Sequence, residues 1–107
     1  MNVHPTKHQR ACELAKEILV SDIDYLDNVI EMWKIGNSIH GSVWDTEFHI
    51  FGVIESSTDH LPTKTVREHY SKEWLLKADQ EISKCIIFYR ENVKNACTEI
   101  LSKYRGL

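Results

Sequence analysis

Apolar residues recur every three or four positions over two long stretches of the chain. The first runs from Cys12 through Ala15, Leu19, Ile23, Leu26, Ile30 and Trp33, one face of an amphipathic helix. It crosses Ser21-Asp22-Ile23-Asp24, a sequence that reads as a capping box, with Val20 and Tyr25 placed as a hydrophobic staple. This predicts helices at about 6–20 and 22–36 with a break or kink near Ser21; one continuous helix is the alternative. Gly36 and Gly41 mark the stop. The second stripe, Leu75, Ala78, Ile82, Cys85, Tyr89, Val93, Ala96, Ile100 and Tyr104, contains no Gly or Pro and predicts one long helix over 71–104. Ser71 suits its N-cap, Glu73 its positive end, and Lys103 and Arg105 its negative end. Trp74, Leu76, Ile86, Ile87, Phe88, Cys97 and Leu101 lie off that line. Either the molecule covers both flanks of the stripe itself, or a partner covers one.

Between the stripes, Glu47 to Ile54 is apolar on both alternating faces, like a short buried strand, but a strand needs a neighbour and only Thr65-Val66-Arg67 offers a weak one. The segment is expected to pack as an irregular loop, then, in order of preference, to form a small hairpin with 64–68 or to pair with another chain. The expected architecture is therefore mainly α. An antiparallel helical bundle or hairpin carries a structured connector over 37–70, with at most a short strand or hairpin at 47–54.

The 107 residues suit one domain, and with 42% hydrophobic and 27% charged residues the chain can bury a core. A net charge of −3 gives no basis for binding a phosphate backbone, so nucleic acid is not an expected partner. Met1 to Val20 carries charges too closely spaced for a secretion signal or a membrane span, so a cytoplasmic location is expected. Cys12, Cys85 and Cys97 have no CxxC spacing and read as reduced core residues. Cys85 and Cys97, twelve residues apart on one helix, would stand roughly 18 Å apart, beyond disulfide reach.

Acidity is concentrated in residues 41–62, which hold Asp45, Glu47, Glu55 and Asp59 and no Lys or Arg. Glu55-Ser56-Ser57-Thr58-Asp59-His60-Leu61-Pro62 is rich in turn formers and reads as a surface loop. An aromatic and acidic lead-in, an apolar run, this segment, then Arg67 and a Ser-x-Glu helix start resemble a family of small bacterial proteins of unknown function that carry a Ser-x-Thr-Asp-x-Leu-Pro segment. The resemblance covers roughly residues 14 to 105 and is most specific at Thr58, Asp59, Leu61, Pro62 and Arg67. The family segment runs Asp-Ser-Glu-Thr-Asp-x-Leu-Pro, so Glu55 and Ser57 depart from it. The resemblance implies no activity, and the loss of a carboxylate at Ser57 weakens a metal or acid–base reading of the segment.

Two functions remain. In the first, a non-enzymatic module binds a basic protein partner through Trp44, Asp45, Glu55, Thr58, Asp59, His60 and Arg67. Buried aromatics such as Trp44, Phe48 or Phe51 would supply most of the affinity, and Arg67 would pair with Asp59 to hold the loop. By analogy of size and charge, such a module could be an immunity protein that blocks a basic toxin. A homodimer would use the broad face of the C-terminal helix. In the second, Asp45, Glu47, Glu55, Asp59 and His60 surround a divalent ion in a metal-assisted hydrolase. Their spacing matches no metal motif, and His4 and His8 lack the Glu of a zincin pattern. There is no GxSxG, Walker or GxGxxG sequence and no activated cysteine, and His49 and His69-Tyr70 carry no assignment. The expectation is binding, without cofactor, metal or catalytic residue.

Overall fold

The computed structural model describes residues 6–61 and 67–106. Four α-helices carry the fold: α1 (Lys7–Val20), α2 (Tyr25–His40), α3 (His49–Thr58) and α4 (Lys72–Tyr104), with a 3-10 turn at Arg67–His69. No strand occurs among the described residues.

Thr6 and Gln9 form a reciprocal capping box at α1: the Thr6 hydroxyl accepts from the Gln9 amide, and the Gln9 side chain accepts from the Thr6 amide. The break near Ser21 is real, but it is built differently from the predicted cap. The Ser21 hydroxyl accepts from the Ile23 amide at 3.1 Å, and Asp24, in the left-handed region at φ 54°, precedes α2 without a side-chain cap. The staple does not form, because Val20 is 82% exposed while Tyr25 is buried. Leu19 and Ile23 also fall off the buried face: with the expected Ala15, α1 buries Ala11, Leu14 and Ile18, which turns Leu19 outward, and Ile23 lies in the turn that follows.

Gly36 does not end α2. It lies buried within the helix, where its missing side chain makes room for Phe48 and Val43, and the stop comes at Gly41, at φ 81° with its amide on the Asn37 carbonyl. The 47–54 expectation is overturned: this stretch is neither loop nor hairpin but leads into α3. Phe48, Phe51, Ile54 and Thr58 recur at helical spacing and are all buried. The proposed pairing residues 64–66, along with His4, Pro5 and Pro62, lie outside the described residues.

Helix α4 matches its prediction: Ser71 caps it by accepting from the Trp74 amide, and Ala78, Val93, Ala96, Ile100 and Tyr104 are buried. Helix α1 packs on α2 and α4, and α3 packs on α2 and α4, whereas α2 makes at most marginal contact with α4. One core joins all four, with Phe48, Phe51, Leu14, Met32, Ile54 and Ile100 fully enclosed. At 1.5 Å per residue α4 is about 50 Å long, comparable to the 46 Å long axis of the molecule. The shorter helices cannot cover all of it. Val93 to Tyr104 is buried on the core side, while Leu75, Ile82, Cys85, Ile86 and Tyr89 are only half covered.

Candidate docking surface

The seven residues singled out from the sequence do not form one site, because α3 stands between them. Trp44 and Asp45 precede its first turn; Thr58, Asp59 and His60 close its last, about 15 Å away by the helical rise. Trp44 is half exposed and meets the His49 ring edge-on at 5.1 Å. Asp45 has φ 64°, and its amide donates to His49 Nδ1 at 3.1 Å, closing the turn into α3. Glu55 lies half-buried on α3. Thr58 is buried and its hydroxyl donates to the Ile54 carbonyl at 2.8 Å. Asp59 is exposed beside His60, whose Nε2 lies 3.3 Å from Glu81 on α4. Arg67 does not pair with Asp59: its guanidinium donates to Asp79 on α4 at 2.8 Å. Arg67 and His60 thus fasten the end of α3 and the 3-10 turn to α4. Phe48 and Phe51 are fully enclosed and offer nothing to a partner.

The hydrolase constellation is likewise dispersed. Glu47 is engaged by other groups, its carboxylate accepting from Tyr104 and lying 2.9 Å from His40 Nε2 and 3.5 Å from Lys103 Nζ. Among the described residues no three His, Cys, Asp or Glu side chains are placed to hold a metal ion.

The surface that does gather chemistry lies where α2 fails to sit on α4. There a cavity of about 270 Å³ opens between Tyr25, Leu26 and Ile30 of α2 and Ile82 and Ile86 of α4, with Thr58, Leu61 and Arg67 at one end. Asp22, Asp24 and Asp27 form its rim. A second hollow of about 250 Å³ continues past Tyr25 and Ile86 to Ile87, Ser83 and Arg90. The two share Asp22, Tyr25 and Ile86, so they make one groove with a waist. Arg90 spans the waist, donating to Asp22 at 2.9 Å and lying 5.2 Å above the Tyr25 ring. The bond from Asp22 raises the Arg90 pKa, and burial raises that of Tyr25.

Large apolar side chains are exposed on the wall of this groove and along the elements that build it. Ile87, on its wall, is 73% exposed. Val20 and Ile23, which flank Ser21 and Asp22 in the elbow between α1 and α2, are 82% and 75% exposed. Leu76 at 60% and Phe88 at 74% expose further apolar surface on the same half of α4. Of the seven sequence candidates, Thr58 and Arg67 line the groove and the other five lie outside it. The sequence signal for the surface was the apolar excess off the α4 stripe, at Leu76, Ile87 and Phe88; nothing in the periodicity singled out Val20 or Ile23.

No helix among the described residues is long and apolar enough to cross a membrane. Comparison with protein-family models, with curated proteins and with solved structures finds no match for this chain.

Proposed function

We propose that this chain is a non-enzymatic protein-binding module that docks a basic protein on the face formed by the α1–α2 elbow and the first half of α4. The observation that carries the reading is the exposure of Ile87 on the wall of an apolar groove that exposed Asp22, Asp24 and Asp27 also line, with Val20 and Ile23 exposed in the elbow on either side of Ser21-Asp22. Apolar side chains grouped beside a groove, with polar groups around them, are the pattern of an interaction site; scattered single ones are ordinary surface. Carboxylates on the rim would favour encounter with a cationic partner and disfavour an acidic one. The chain's size and acidic balance fit an immunity protein that blocks a basic toxin, and we take the cytoplasm, where free thiols persist, as its compartment.

The test compares the tagged chain with its Ile23→Ser/Ile87→Ser variant as bait in extract of the native cells, after circular dichroism shows that both fold. The reading expects a basic protein retained in stoichiometric amount by the parent and lost by the variant. Equal retention by both, or no stoichiometric protein with the parent, would overturn it.

A further inference from the structure

We infer that the occupant of the groove between α2 and α4 is a lysine- or arginine-bearing amphipathic helix of another protein, an inference that rests on the docking reading above. Three observations fix the class of occupant.

The first is shape. The groove is two adjoining hollows of about 270 and 250 Å³ that share Tyr25 and Ile86. Each falls below the ~300–1,000 Å³ of ordinary small-molecule sites, but successive apolar side chains on one face of a helix would enter them in turn. The second is backbone. The described residues hold no strand whose edge an extended peptide could join, and the walls are helices whose mid-helix amides are already bonded; an amphipathic helix laid in the groove needs only the side-chain contacts that such walls offer. The third is charge. Both cations at the groove among the described residues are engaged by carboxylates of this chain, Arg90 by Asp22 and Arg67 by Asp79. Asp27, exposed on the rim, adds a negative charge that no described cation offsets.

The experiment titrates the full chain against two labelled synthetic peptides of about 16 residues, long enough to hold a helix, and reads fluorescence anisotropy. One is built of leucine and lysine in amphipathic order; in the other, glutamate replaces lysine. The lysine peptide is expected to bind at least about tenfold more tightly, to weaken with added salt, and to lose about threefold in Asp27→Asn, the scale of one exposed charge pair. Asp59→Asn, an exposed carboxylate outside the groove, is expected to leave binding unchanged. Equal binding of both peptides, or equal losses in the two variants, would overturn the inference while leaving the docking face standing. So would failure of both peptides when the extract comparison still yields a partner lost in Ile23→Ser/Ile87→Ser. A dimer in light scattering that Ile87→Ser disrupts would make the second copy the occupant and overturn the inference as well.

Discussion

The Tyr104 hydroxyl donates to the Glu47 carboxylate, tying the last turn of α4 to the connector between α2 and α3. His40 at the end of α2 joins the same carboxylate at 2.9 Å, and the His8 ring of α1 lies 4.7 Å from that of Tyr104. The Glu47 side chain is only 4% exposed, and burial by itself would raise its pKa. Hydrogen bonds from Tyr104, from His40 and from its own amide outweigh that effect and bring the pKa from 4.5 down to about 2. Burial and the bond to Glu47 push the Tyr104 pKa up.

A carboxylate whose folded pKa is depressed stabilises the fold above its unfolded pKa and loses that contribution as pH falls through the folded one. Glu47 therefore contributes fully above about pH 4.5 and progressively less toward pH 2. The depression corresponds to stability on the order of 3 kcal/mol at neutral pH. Urea midpoints of the parent are expected to fall between pH 4.5 and 2, and those of Glu47→Gln to start lower at about pH 7 and fall less over that window. Parallel pH profiles would show that Glu47 does not hold this junction.

Gly36→Ala tests the packing of α2 on α3. Inside a helix, alanine ordinarily gains about 1 kcal/mol over glycine. Here the added Cβ would come within 2.6 Å of Phe48 Cβ and Cγ and 2.8 Å of Val43 Cγ1, atoms at the root of enclosed side chains. The expected outcome is a loss of about 1–3 kcal/mol, read as a lower melting temperature. A rise would mean that α2 and α3 lie further apart than described.

The surface residues should behave in the opposite way. Ile87→Ser and Phe88→Ser remove exposed side chains and are expected to change stability by less than about 0.5 kcal/mol, while reducing retention on a hydrophobic-interaction column. Phe48→Ala, in the core, should cost about 3–5 kcal/mol. Chemical denaturation of the three variants checks the contrast.

The three thiols should separate by accessibility. Cys97 is fully enclosed and burial pushes its pKa up to about 12, while Cys12 and Cys85 are half-buried with pKa values raised by burial. Thiolate is the reactive form, so Cys97 should resist a disulfide reagent in the native state and react only on unfolding. Native titration should count at most two thiols, and three in denaturant.

The long helix was legible because an uninterrupted stripe between a serine cap and basic end residues leaves little alternative. The break near Ser21 was legible in Ser21-Asp22-Ile23-Asp24, though as a capping box that does not form, and its geometry was not: the stripe keeps its spacing through Leu19 and Ile23 while the chain changes direction. Helix α3 was hidden because its first turns are apolar off the buried face as well as on it: the half-buried Ile50 and Val53 masked the Phe48, Phe51, Ile54 spacing. That error carried over to the site, since a presumed loop over 41–62 would have gathered residues that a helix holds apart. The groove depends on α2 resting on α1 and α3 instead of α4, a long-range choice that no local pattern records.

The central claim is that a partner docks beside Ile87, and a photo-crosslinking amino acid placed there in the native cell tests it most directly, with Ser56, exposed on α3, as the comparison site. A discrete adduct of one heavier mass from position 87, absent from position 56, is the expected result. No adduct at 87, or the same products from both positions, would contradict it.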